Sequence, residues 1–330
     1  MSPSDLIEEL PVLLAMRRPV FIHGPSGVGK SACVHQVANI MKRKLNDMRA
    51  SQLDSIDVRG FPMPDAKKGQ MTYLPSEDMP RESDPPGILF LDELNGAMPS
   101  VASALYQLIL DHRIGQYVLP KHWSIVAAGN RMNDRGVTHQ MPAPLNNRFV
   151  HIDFDVSPND WHKRAAIDEI HPHIRAYLRL KPGALHIYDP VQNPRSFPTP
   201  RSWYFVDEIY KSGRRPGPLF ELMKGTIGEG AAAEFKGFVA DLEHMPNIDS
   251  ILIDPKKAPL PGNLSATHTV ITTLSDKAKA SSYPKLMLYV ERLPREFQMV
   301  FNQLALGNDI NIQNTKTYTD WCIANEAILN

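Results

Sequence analysis

At 330 residues the chain is too long for one minimal core and fits one large domain or two to three smaller ones. A hydrophobic share of 42% and a charged share of 22% are those of a folded globular protein, which excludes wholesale disorder. Lys plus Arg and Asp plus Glu each total 36, so no net field draws the chain to nucleic-acid phosphates or anionic lipid, and no apolar run reaches the roughly 20 residues that span a bilayer. Cys33 and Cys322 cannot build a disulfide framework and lack metal-ligand spacing, so a cytoplasmic protein with reduced thiols is expected, with no membrane insertion.

Residues 4–17 space Leu and Ile as a helix does, and Pro19 to His23 reads as a short buried strand. After the glycine-rich segment 24–29, residues 30–46 return to helical character, and Asp54 to Val58 reads as a second strand. Gly87–Asp92 is a third strand, 98–112 a helix, Trp123–Ala128 a fourth strand and His151–Asp155 a fifth. Strands alternating with helices indicate an α/β layer fold with a mostly parallel sheet.

From Ser157 the pattern turns helical. Ser157-Pro-Asn-Asp160 is a capped start for a helix through Ile167. Three or more helices follow before residue 246. The proline-rich stretch 182–200, Ser212-Gly213 and Pro216-Gly217-Pro218 act as breakers. Residues 249–262 carry three prolines and read as a connector, and 264–330 is helical again, with Leu286, Leu288, Val290, Leu293, Phe297, Val300 and Phe301 as apolar anchors. The expected domains are 1–155, binding a nucleotide; 156–248, a helical lid; and 249–330, a linker with a helical extension.

Gly24-Pro25-Ser26-Gly27-Val28-Gly29-Lys30-Ser31 matches G-x-x-x-x-G-K-[ST] between a strand and a helix, the context in which that pattern cradles phosphate. Glycines let successive backbone N–H groups turn inward around a β-phosphate, and the helix starting near Ser31 and Ala32 presents its positive end. Lys30 can reach the β/γ oxygens, and Ser31 would ligate Mg²⁺. Four apolar residues, Ile88 to Leu91, then lead to Asp92 and Glu93, placing two carboxylates at the carboxyl edge of a buried strand, where ligands of parallel sheets sit. Asp92 would hold Mg²⁺ through its hydration shell, and Glu93 would orient and deprotonate the attacking water. Asn130, at the end of the fourth strand, offers an uncharged amide for that water or the γ-phosphate, although Gly129-Asn130 is also ordinary turn chemistry.

With GPSGVGKS at 24–31, ILFLDELNGA at 88–97, AAGNRMND at 127–134, PLNNRF at 144–149 and TPRSW at 199–203 in this order, the chain resembles AAA+ ATPases, and more narrowly their MoxR-like branch, over residues 15–215. The resemblance implies a P-loop NTPase sheet sandwiched by helices, followed by an all-α lid and a further helical segment. It implies ATP and Mg²⁺ as ligands, Asn130 as the sensor-1 residue, Arg148 as an arginine finger reaching a neighbouring subunit, and Arg201 as the sensor-2 residue. An ion pair is the alternative for Arg148 and a helix-start arginine for Arg201, and Arg131, Arg135 or Arg195 could take either role. It further implies a homo-oligomer, a hexameric ring, acting as a chaperone on a protein client, with a von Willebrand factor A-type or metallopeptidase-like companion. A hairpin is expected at Arg113–Pro120 and a shortened insertion at 60–86, with Tyr73 or Tyr117 facing a pore or simply packed. The alternative reading is a nucleic-acid motor or loader on the same core, against which the neutral charge balance argues. His171-Pro-His173 reads as loop surface rather than a metal site.

Overall fold

The computed structural model describes residues 1–67, 69–131, 141–192 and 194–325. It divides into two compact units, Met1–Ser157 with Asp189–Asn193, and Pro158–Tyr188 with Pro194–Asn330.

In the first unit, helix α1 (Pro3–Ala15) starts on a reciprocal cap: Asp5 N–H donates to the Ser2 hydroxyl, and Ser2 N–H donates to the Asp5 carboxylate. Leu6, Leu10 and Leu14, one turn apart, form its buried stripe. There follow β1 (Val20–His23), α2 (Lys30–Ile40), β2 (Lys44–Arg49), α3 (Ser55–Arg59) and the pair β3 (Phe61–Asp65) and β4 (Gln70–Leu74). Then come β5 (Gly87–Asp92), α4 (Pro99–Asp111), the short pair β6 (Arg113–Ile114) and β7 (Tyr117–Val118), β8 (Trp123–Gly129), α5 (Ala143–Asn146) and β9 (Val150–Asp153). Five strands make one parallel sheet in the order β2-β5-β8-β1-β9.

Period-two alternation splits the central strands between two cores. Ile88 and Phe90 join Val126, Ala128, Ile22 and the leucines of α1 on one face; Leu89 and Leu91 join Ile125, Ala127 and Leu105 of α4 on the other. Each fully buried side chain of this kind contributes roughly 1.5–3 kcal/mol. The three innermost strands, β5, β8 and β1, consequently end side by side at their carboxyl edge.

The second strand is not where the sequence places it. Residues 54–58 lie in α3 and its cap, because Asp54 and Asp57 form a reciprocal capping box that starts a helix. The strand is instead Lys44–Arg49, and α2 stops at Ile40, with Lys42 in the left-handed region at φ 53°. β2 pairs only with β5 and buries only Met48 among its residues, so an edge strand of this composition carries no apolar run to betray it. Segment 60–86 holds the β3–β4 hairpin, and Arg113–Pro120 holds the expected β6–β7 hairpin.

The second unit is helical: α6 (Pro158–Ile167), α7 (Pro172–Leu180), α8 (Pro200–Lys211), α9 (Pro216–Ile227), α10 (Glu229–Ala240), α11 (Ile248–Ile253), α12 (Leu264–Asp276), α13 (Tyr283–Val290), α14 (Arg295–Asn308) and α15 (Lys316–Ala324). Pro216-Gly217-Pro218 does not separate helices; it forms the first turn of α9, where proline's missing N–H costs nothing. The stretch 249–262 is only in part a connector, because α11 occupies its start, capped by the Asn247 side chain accepting from Asp249 N–H. Tyr177, Trp203, Phe235 and Phe238 interlock edge to face or tilted at ring separations of 5.4–5.8 Å. A further core gathers Val270, Leu274, Tyr283, Tyr289, Phe301 and Trp321 around α12 and α14. Among the described residues, no helix is long and apolar enough to cross a membrane.

Candidate active site

The loop after β1 turns on two left-handed glycines, Gly27 at φ 76° and Gly29 at φ 105°, a conformation that side chains resist. Gly29 caps α2, so Lys30 and Ser31 begin that helix and its unpaired N–H groups face the loop. Lys30, 8% exposed, donates to the carbonyls of Gly24 at 2.6 Å and Pro25 at 2.8 Å, and reaches Asn130 Oδ1 at 3.4 Å. Its ammonium thus sits inside the loop it belongs to. Ser26 and Ala32 are exposed, and Val28 anchors the loop in the core beside α2.

The neighbouring strand ends meet this loop. Ser31 Oγ donates to Asp92 Oδ2 at 2.7 Å, joining the start of α2 to the end of β5. Glu93 follows in the left-handed region at φ 55° and ψ 34°, an uncommon conformation for a side-chain-bearing residue that turns the chain sharply off the strand. Its N–H donates to Asp92 Oδ1, and its exposed carboxylate accepts from the Ser51 hydroxyl. From β8, the Gly129 carbonyl accepts from Gly24 N–H at 3.2 Å. Gly129 has no room for a Cβ, because the Asn95 side chain lies against it while donating to the Asn130 carbonyl at 2.7 Å. Lys30 and Asn130 therefore form one hydrogen-bonded set at the loop, and Ser31 and Asp92 a second one at the start of α2.

Arg148 and Arg201 belong to neither set. Arg148 is exposed on the turn after α5, its N–H donating to the Leu145 carbonyl, and Arg201 is exposed in the first turn of α8 in the second unit, which Thr199 caps. Arg195 is exposed in that unit as well, while Arg131 is bound to Asp155 Oδ1 at 2.6 Å and to the Phe154 carbonyl. Arg135 and the motif positions Met132, Asn133 and Asp134 lie outside the described residues. Tyr117 packs into the core and donates to the Pro80 carbonyl at 2.7 Å, whereas Tyr73 is half-exposed on the β3–β4 hairpin. His171 caps α7, accepting from His173 N–H, and His173 Nδ1 lies 2.8 Å from the Tyr210 hydroxyl.

Sequence reasoning passed over Ser51, Asn95 and a histidine pair. Asn95 stood inside a motif already in view, but nothing in the motif says that its amide turns back to β8. His23 Nε2 lies 2.9 Å from His151 Nδ1, and His151 Nε2 lies 2.8 Å from the Asn146 carbonyl. Burial first, and then the neighbouring His151, lowers His23 to about 4, so it is neutral at physiological pH. The parallel register of β1 with β9 brings the two rings together across 128 residues, a pairing that no local signal announces.

Residues 20–155 match the family model described as ATPase family associated with various cellular activities, or AAA. That segment, less than half of the chain, is similar to AAA-family domains. An uncharacterized protein of Staphylococcus epidermidis is 25% identical over an alignment of 169 residues that covers 48% of this chain. The chain spans 64% of that relative's length, less than two thirds. Among solved structures, a candidate ATPase from Cytophaga hutchinsonii aligns at 13% identity and a TM-score of 0.36, covering 92% of this chain and 80% of its own. The RuvB Holliday junction branch migration motor of Thermotoga maritima aligns at 17% identity and a TM-score of 0.40, covering 88% and 87%. The matched segment contains the phosphate loop, the acidic pair and Asn130; Arg201 lies outside it.

Proposed function

We propose that the AAA domain binds ATP with Mg²⁺ at the phosphate loop and hydrolyses it, and that the chain works as a ring-forming, MoxR-like remodeller of a protein client. The observation that carries this reading is the Ser31–Asp92 hydrogen bond at 2.7 Å. It brings a hydroxyl and a carboxylate, both hard oxygen donors of the kind magnesium prefers, to the mouth of a loop whose amides suit phosphate. Bound there, magnesium would neutralise charge on the β- and γ-phosphate oxygens.

The chain's own groups supply the rest. Lys30 neutralises phosphate charge as its ammonium turns from the Gly24 and Pro25 carbonyls toward the ligand. Glu93 orients the attacking water and takes its proton, and Asn130, held through Asn95, positions that water without competing for the proton. Arg148, exposed and off the site, acts on a neighbouring subunit's nucleotide, which makes turnover depend on a ring of six, and Arg201 senses the γ-phosphate from the helical unit. The protein-client reading draws support from the β3–β4 hairpin, where Phe61, Met63, Met71, Tyr73 and Leu74 are all exposed and offer apolar contacts to a polypeptide. A companion of the von Willebrand factor A or metallopeptidase-like type completes the proposed assembly, in the cytoplasm.

Glu93→Gln tests the chemistry: ATP binding should persist while hydrolysis falls by about 10²–10⁴-fold, and undiminished turnover removes Glu93 as the base. ATPase rates with an unfolded polypeptide and with single- and double-stranded DNA test the client. Stimulation by DNA that collapses as salt rises replaces the remodeller with a nucleic-acid motor.

A further inference from the structure

The helical unit buries Arg175 and partly buries Arg179 on one face of α7. Arg175 and Arg179 stand four residues apart, where like charges repel, and Arg175 is only 3% exposed. Helix α12, packed against α7, carries His268, Thr272 and Asp276 at the same four-residue spacing, and α6 adds His162, 7% exposed. Arg175 Nη1 donates to Asp276 Oδ2 at 2.6 Å. Among the described residues Asp276 is the one carboxylate ion-paired with Arg175, and Arg179 forms no ion pair of its own.

The charge does not balance. Burial and the charge of Arg175 pull Arg179 down to about 10, with Asp276 opposing, which still leaves it protonated at neutral pH. Burial and both arginines hold His162 at about 3, and burial with Arg179 lowers His268, so both imidazoles are neutral. Two fixed cations thus share one anion.

The hydrogen bonding does not balance either. Arg175 Nε, Arg179 Nε, His162 Nδ1, His268 Nδ1 and Thr272 Oγ1 are buried and have no hydrogen-bond partner among the described residues. Buried polar atoms are nearly always satisfied, so five on adjoining helices mark a place that something else completes. Water could satisfy the atoms but would leave the surplus positive charge. A small anion does both.

We propose that the seam of α6, α7 and α12 is a binding site for a tetrahedral oxyanion of the phosphate class, gripped by the Nε–H groups of Arg175 and Arg179 and completed by His162, His268 and Thr272. Side chains four apart on a helix are near neighbours, a spacing at which two guanidiniums share one oxyanion. Hydroxyl and imidazole groups complete the shell because each can donate or accept as the ligand's protonation requires. Every one of these residues belongs to the second unit, and the phosphate loop belongs to the first.

The test uses the full chain carrying Lys30→Ala, which disables the phosphate loop, titrated with inorganic phosphate at constant ionic strength. Melting temperature and the emission of Trp161, whose ring lies 5.2 Å from that of His162, are the readouts. Both should respond saturably, and adding Arg179→Gln should weaken the apparent affinity by about tenfold or more. In phosphate-free buffer Arg179→Gln should leave the melting temperature unchanged or raised, because it relieves like-charge repulsion; a purely structural arginine would lower it. Thr272→Val, a milder change, should weaken phosphate binding as well. A flat titration in the Lys30→Ala chain, or an undiminished response after Arg179→Gln, overturns the proposal. If Lys30→Ala does not fold, the Trp161 response of the otherwise unchanged chain, with and without Arg179→Gln, decides the matter by the same two outcomes.

Discussion

The phosphate loop and the α6–α7–α12 seam both bury cations, and they handle them in opposite ways. In the loop, Lys30 is matched by two backbone carbonyls and an amide oxygen, and Ser31 by Asp92. In the seam, Arg175 has Asp276 while Arg179 shares it at a distance, and unpaired atoms remain on every helix involved. A backbone loop can supply acceptors wherever its carbonyls point. Helices spend their carbonyls internally and leave side chains to settle the charge.

The largest expected effects test the loop. Lys30→Ala should weaken Mg-ATP binding by on the order of 10²-fold in calorimetry, since it removes a charge-assisted contact to phosphate; unaltered affinity breaks the assignment of the loop as the nucleotide cradle. Arg148→Ala should leave binding intact and lower turnover by about 10³-fold, and mixing it with Glu93→Gln should restore part of the activity if the arginine acts across subunits. Mixtures that stay as inactive as their components return Arg148 to the role of a surface ion pair.

A smaller effect sharpens the view of the seam. In unfolded chain His162 protonates near 6.5, whereas the folded imidazole resists until about 3. The unfolded state therefore binds more protons between these values, and stability falls as pH drops through that window. Unfolding free energies from urea titrations in phosphate-free buffer should fall by roughly 1.5–2 kcal/mol between pH 6.5 and 5 from this group, and His162→Gln should flatten the slope by that amount. An equal slope in both proteins would mean that His162 is already charged in the fold. Smallest of all, Asn95→Ala should cost about tenfold in turnover with little change in ATP binding, because it loosens the backbone of Asn130 through one hydrogen bond; a change in binding alone would place Asn95 in ligand contact.

The same contrast explains what could be read from the sequence. The phosphate loop, Asp92 and Asn130 follow strands whose apolar runs are continuous, so motif, strand and edge position are encoded within a few neighbouring residues. β2 carries no such run because an edge strand buries only one of its residues, and residues 54–58 read as a strand although the Asp54–Asp57 capping box starts a helix. The β3–β4 hairpin is almost wholly exposed, so burial imprinted no pattern on it. The seam was beyond reach for a different reason: Arg175 and Asp276 are 101 residues apart and meet only because two helices pack.

The cradle at Gly24–Ser31 also bears on kinetics. Its curvature is fixed by two left-handed glycines, and in the free loop the Lys30 ammonium holds the Gly24 and Pro25 carbonyls, so little of its backbone has to be ordered when a ligand docks. Association should accordingly run at the speed of encounter, with residence time, rather than arrival, setting how tightly different nucleotides are held.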